Sequence, residues 1–225
     1  MHGRCYENNV NLAPLSHAHE SRYVTICNVH VVVSASRDAA YREVINTSDM
    51  ATPNGAPVAW MLRRQGFTTQ RRISGPDLMW ALCKREAIEN MPVYFYGSTE
   101  STLALLEQRL REAFPGLKMV MESPPFRALT AEEDALAVDK INTSGAGFVF
   151  VGLGCPKQER WMAEHRGRDA LDASPLRVKA VMIGGRRSTS MRAPFSARRH
   201  GCGTTGWNGC TAWRRNRDAC GSGIW

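Results

Sequence analysis

No apolar run in this 225-residue chain approaches the roughly 20 residues that a helix needs to cross a bilayer. The opening stretch, Met1 to Glu20, lacks both the apolar core and the basic start of a secretory leader, so a cytoplasmic location is expected. No C-x-x-C pair occurs among the seven cysteines, Cys5, Cys27, Cys83, Cys155, Cys202, Cys210 and Cys220. An odd, scattered set suits reduced thiols better than a disulfide framework or a zinc site, and no metal is expected. Carboxylates are nearly missing from Arg186 to Trp225, which holds eight Arg and one Asp for a net +7. The other 21 basic and 20 acidic residues leave only +1 for the rest, so the total of +8 belongs to the tail. Any nucleic-acid or acidic-lipid case built on charge is thereby confined to that tail. The tail also lacks Leu, Val, Lys and Glu, carries six Gly, three Cys and three Trp, and shows no helix or strand period.

With 43% hydrophobic residues the chain can bury one sizeable core, which predicts a single domain. Strand-like and helix-like segments alternate over residues 21–185. Tyr23 to Val33 is β-branched and apolar, broken by Asn28 and His30, and reads as a strand. Asp38 to Ile45 is amphipathic, Pro53-Asn54-Gly55 is a turn signal, and Ala56 to Gln65 resumes helical spacing. A helix is predicted from Pro76 to about Ile88 and a strand over Pro92 to Tyr96. Thr99 to Phe114 is a clear helix with Leu103, Leu106 and Leu110 on one face, stopped by Pro115-Gly116. A strand over Leu117 to Met121 follows, then a capping box at Thr130-Ala-Glu-Glu133 before a helix to Asn142. Phe148 to Val151 and Val178 to Ile183 complete the strands. This alternation predicts a Rossmann-like α/β fold, a mainly parallel sheet flanked by helices. The expected organisation is a polar extension over 1–20, the domain over 21–185 and an irregular basic tail over 186–225.

The most informative stretch is Val151-Gly-Leu-Gly-Cys-Pro-Lys-Gln-Glu-Arg-Trp161. It follows a buried-strand pattern and opens a helix. Gly152 and Gly154 allow a tight turn, and Pro156 suits a first helical turn because its missing N–H costs nothing there. Unpaired amides at such a helix start attract phosphate, and Lys157 adds a charge beside them. A lone G-x-G is more often an ordinary strand–helix corner. The longer string G-L-G-x-P-K-Q-E-x-W is more specific, and it resembles the hallmark of the bacterial WecG/TagA/CpsF glycosyltransferases. Further blocks agree in order: Asn28-Val-His30, Ala51-Thr-Pro-Asn-Gly55 with Pro57-Val-Ala-Trp60, Arg72-Ile-Ser-Gly-Pro-Asp77, Phe114-Pro-Gly-Leu117 and Ile141-Asn-Thr-Ser-Gly145.

The resemblance implies transfer of a sugar, commonly N-acetylmannosamine, from a UDP-sugar to a polyprenyl-diphosphate-linked acceptor, with inversion and without a metal or other cofactor. It implies a peripheral enzyme at the inner face of the cell membrane, working in surface-polysaccharide or wall-polymer synthesis, with a homo-oligomer open to it. Asn28, Gly55, Arg72, Gly152, Gly154, Lys157 and Gln158 become the candidate substrate-binding residues, and Asn54, Asp77 and His30 the candidate catalytic ones. Inverting transfer needs a base for the acceptor hydroxyl and groups that stabilise the departing diphosphate. The family's proposed base is the Asp of a P-D-G turn, where this chain has Asn54, and an amide accepts no proton at neutral pH.

Three roles are open to Asn54: positioning the acceptor while Asp77 or His30 acts as base, belonging to a binder with little turnover, or forming a turn. The plain alternatives elsewhere are a solvated charge for Arg72, a helix-surface residue for Gln158, a dipole-favoured first-turn acid for Asp77 and a structural histidine for His30.

Beyond Gly185 the family's A-F-D-F-x-A-G and R-A-P-x-W-M blocks are absent. Suitable GC-rich codons for Arg187 onward spell a string similar to them in another reading frame, so a frameshift near Gly185 is the expected origin of the tail. That origin also accounts for the basic, Trp-bearing composition without binding to nucleic acid, which is not an expected partner. The alternatives to an active transferase are a nucleotide-sugar-binding pseudoenzyme and a truncated gene product.

Overall fold

The computed structural model describes residues 21–166, 178 and 180–184. The extension over 1–20 and the tail over 186–225 lie outside the described residues, and so does the expectation of a frameshift. The elements are β1 (Arg22–Cys27), α1 (Val29–Arg37), α2 (Ala39–Asn46), β2 (Met50–Pro53), α3 (Ala56–Arg64), α4 (Gly75–Glu89), β3 (Val93–Gly97), α5 (Glu100–Ala113), β4 (Met119–Glu122), α6 (Ala131–Thr143), β5 (Phe148–Gly152), α7 (Lys157–Glu164) and β6 (Val181–Gly184).

One expectation fails near the start. The strand does not run on to Val33, because Asn28 ends it: its Oδ1 accepts the Val31 N–H at 3.0 Å and starts α1. The β-branched run Val29–Val33 is then helical, with Val31 and Ala35 buried one turn apart. Thr130 caps α6 as expected, with the reciprocal Glu133 contact completing the capping box.

All six strands are parallel, in the order β2-β1-β6-β5-β3-β4. α1, α2, α6 and α7 pack on one face of the sheet and α4 and α5 on the other, while Val58 and Leu62 of α3 line a cavity with Val31 and Ala35 of α1 and Ile45 of α2. The strands sort their side chains accordingly. Val93, Phe95, Phe148, Phe150, Val181 and Ile183 pack with Leu78 and Leu82 of α4 and Leu103, Leu106 and Leu110 of α5. Their neighbours Tyr94, Tyr96, Val149, Val151 and Met182 pack with Val138 and Ile141 of α6 and Trp161 and Met162 of α7. Burial of both faces is why these strands read as continuous apolar runs and not as alternating ones.

In an open parallel sheet a crevice opens at the carboxyl ends of neighbouring strands whose following helices go to opposite faces. Such a point lies between β5 and β3, which lead into α7 and α5. The ends of β1 and β2 lie on the same carboxyl edge.

Candidate active site

At the carboxyl ends of β1 and β2 the Asn54 N–H donates to the Cys27 carbonyl at 2.8 Å, which ties the Pro53-Asn54-Gly55 turn to the end of β1. Asn28 stands beside that carbonyl as the cap of α1, half-buried. Gly55 has φ +97° and precedes α3, a conformation that favours glycine. The Ile73 N–H donates to the Pro53 carbonyl at 2.8 Å, so the Arg72 segment runs along the end of β2. A Cβ on Gly75 would meet Ile26 of β1 at 3.3 Å, which brings the start of α4 and its first-turn Asp77 to the same edge. Arg72 is exposed and Asp77 half-buried. His30 is exposed in the first turn of α1 and does not alternate along a strand, because the cap at Asn28 precedes it.

At the switch point between β5 and β3, β5 runs into the glycine turn. The Ser98 N–H donates to the Gly152 carbonyl at 3.1 Å, and a Cβ on Gly97 would stand 2.6 Å from the Gly152 carbonyl carbon. The close approach therefore falls on Gly97, whose φ is +114°, while Gly152 has no neighbour closer than 3.8 Å to an added Cβ. Gly154 has φ +87°. Pro156 stands at the cap of α7, one residue before the helix, and Lys157 is exposed at its first position.

Gln158 is not the helix-surface residue that its position in a first turn suggests. It lies neither on the helix surface nor open to solvent, but is 5% exposed. Its Oε1 accepts the Gly154 N–H at 3.1 Å and its Nε2 donates to Glu159 Oε1 at 2.7 Å. One amide of the turn, expected to be unpaired, is thus already engaged.

Sequence reasoning missed the cluster behind this turn. Glu159 is 1% exposed, and burial raises its carboxyl above the usual range, against the Gln158 amide, Tyr41 hydroxyl and Cys155 thiol that favour its charged form. Tyr41 Oη and Cys155 Sγ lie 3.1 Å apart, and the buried Cys27 thiol is pushed up to about 12 by burial, with the Glu159 charge adding. In sequence Glu159 looks like an ordinary first-turn acid, and only the packing of α7 against β1, β6 and α2 buries it. The cluster lies between the end of β1 and the β5–α7 turn along one carboxyl edge.

The chain matches the family model described as "Glycosyl transferase WecG/TagA/CpsF family" over residues 8–185. The chain belongs to the WecG/TagA/CpsF glycosyltransferase family. Among curated members it is similar to the N-acetylglucosaminyldiphosphoundecaprenol N-acetyl-beta-D-mannosaminyltransferase of Bacillus spizizenii strain ATCC 23059 / NRRL B-14472 / W23. The two are 27% identical over 144 residues, covering 64% of this chain and 54% of the relative. A protein of the same name from Staphylococcus aureus strain NCTC 8325 / PS 47 is 25% identical over 146 residues, covering 65% and 56%. The chain therefore spans little more than half the length of these WecG/TagA/CpsF relatives. Among the described residues no helix is long and apolar enough to cross a membrane.

Proposed function

We propose that this chain is an inverting glycosyltransferase that moves N-acetylmannosamine or a related hexose from a UDP-sugar to a polyprenyl-diphosphate-linked sugar. The observation that carries this reading is the meeting of the Asn28/Asn54 turns and the Gly152–Lys157 turn on one carboxyl edge. The names of the relatives support the acceptor, since they specify a diphosphoundecaprenol-linked N-acetylglucosamine. An acceptor of that kind brings the protein to the inner face of the membrane as a peripheral enzyme.

The donor diphosphate lies at the start of α7. There the positive end of the helix dipole and the Lys157 ammonium offset the charge that grows on the leaving group. The acceptor enters over the carboxyl ends of β1 and β2, where Asn28, Gly55 and Arg72 line its approach. Its hydroxyl oxygen bonds to the anomeric carbon as the bond from that carbon to the UDP oxygen breaks. UDP leaves with the electron pair, and the hydroxyl proton passes to a base. Asn54 cannot take that proton, so the carboxylate of Asp77, at the same edge, is the candidate base, with His30 next in order.

A second reading follows from Asn54 itself: the edge binds donor and turns over little. Transfer of radiolabelled sugar from UDP-N-acetylmannosamine to a lipid-diphosphate acceptor analogue separates the two. Turnover by the unaltered chain that falls at least about a hundredfold in Asp77→Asn supports the transferase with Asp77 as base. UDP binding without transfer, gained on Asn54→Asp, supports the binder.

A further inference from the structure

Glu159 has a role that the proposed reaction leaves unexplained. Burying a carboxylate is costly unless its oxygens are hydrogen-bonded. Oε1 of Glu159 accepts from Gln158 Nε2 at 2.7 Å, while Oε2 is buried and meets no donor in ordinary hydrogen-bond geometry among the described residues, the Tyr41 hydroxyl and Cys155 thiol being its other polar neighbours. An apolar side chain would fill this place at lower cost, so packing alone does not account for an acid here.

The neighbour explains what an acid does that an apolar residue cannot. The two ends of the Gln158 carboxamide are similar in shape and opposite in chemistry, so its environment decides which way round it sits. Gly154 presents an N–H, which demands the oxygen, and Glu159 presents acceptors, which demand the NH2 group. Reversing the amide would set N–H against N–H at Gly154 and oxygen against oxygen at Glu159. The pair is closed in from the end of β6. A Cβ on Gly184 would lie 2.7 Å from Met162 Cε, 3.4 Å from Gln158 Nε2 and 3.7 Å from Glu159 Oε1. The Gly184 backbone thus bounds the Gln158 amide on one side, and the amide's orientation passes directly to the Gly154 N–H.

We propose that Glu159 is a positioning residue of the β5–α7 turn: by accepting the Gln158 Nε2–H it fixes the carboxamide, which holds Gly154 and the turn in the shape that the donor diphosphate meets. The proposal rests on the donor reading given above.

Reach, not charge, is what Glu159 supplies, and that separates it from a general electrostatic effect. Glu159→Gln keeps a carbonyl oxygen at the same distance from Gln158. Glu159→Asp keeps the charge but withdraws it by one methylene, and Glu159→Leu removes both. Calorimetry with UDP on the four full-length chains, each checked for a cooperative thermal melt, is the test. The expected order is Glu159→Gln within about threefold of the unaltered chain, and Glu159→Asp and Glu159→Leu weaker by about tenfold or more. If Glu159→Leu does not fold, the Gln and Asp variants decide between reach and charge. UDP bound alike by all folded variants, or Glu159→Gln weakened as far as Glu159→Asp, overturns the positioning role and leaves the donor site standing. No UDP binding by the unaltered chain overturns the donor reading, and this inference with it.

Discussion

A Cβ placed on Gly97 would stand 2.6 Å from one backbone atom of Gly152 and 2.7 Å from another, at a φ of +114°. Neither atom is the end of a flexible side chain, so the strands themselves would have to part. Gly97→Ala is expected to destabilise the fold by about 2–4 kcal/mol, read as a lower urea midpoint, whereas Gly152→Ala should change it by less than about 1 kcal/mol. The sequence pointed to Gly152 and Gly154 as the tight positions because they lie in the motif. That the steric demand falls on Gly97, from another strand, depends on the β3–β5 pairing and is invisible to a local pattern.

Glu86 is a second residue whose behaviour follows from burial. Loss of water around its side chain, with the nearby Glu89 charge, raises it to about 7, only partly offset by Arg85. The folded state then holds a proton that the unfolded chain has lost. The contribution of Glu86 to stability is therefore full below about pH 4.5, declines as pH rises, and is lost as pH passes through about 7. Urea unfolding across that window should show the slope, and Glu86→Gln should flatten it.

At the scale of elements, most of the architecture was legible. The Leu103, Leu106 and Leu110 repeat, the Pro-Gly stop and the Thr130 capping box each encode a helix by local chemistry. Thr130→Ala, which removes the oxygen that accepts the Glu133 N–H, should cost about 1 kcal/mol. The helix α1 was not legible, because Val29–Val33 has the composition of a strand. Its conformation is decided by the Asn28 cap and by burial of Val31 and Ala35 beneath the sheet edge, a tertiary effect that outweighs β propensity. Asn28→Ala should accordingly cost about 1 kcal/mol of stability, besides any effect on acceptor binding. The motif residues were legible as types but not in their roles. Gln158 and Glu159 are both polar residues in a first helical turn, where exposure is the ordinary state, and only the packing of α7 over β1 and β6 buries them.

For the whole molecule, the parallel sheet puts the ends of β1, β2, β3 and β5 on one carboxyl edge, so residues far apart in sequence, from Asn28 to Gln158, come to that edge. The tail is the other feature at this scale. If residues from Arg186 on arose from a frameshift, restoring the frame should supply the family's A-F-D block, and with it acceptor engagement. Sugar transfer by four chains, with the frame restored, with Asn54→Asp, with both and with neither, is expected to rise with the frame restored, whereas a further gain on Asn54→Asp would favour the binder reading over Asp77 as base. Equal turnover by the unrepaired chain would show that neither feature limits activity.

The central claim is that the carboxyl edge, and within it the β5–α7 turn, holds a UDP-sugar. Titration of the isotopically labelled chain with UDP, followed through its backbone amide resonances, tests the claim most directly. Saturable shifts centred on Gly97–Thr99 and Gly152–Lys157, with residues such as Glu86 and Met91 at the opposite edge unmoved, are the predicted result. Absence of saturable shifts, or shifts centred on that opposite edge, would contradict it.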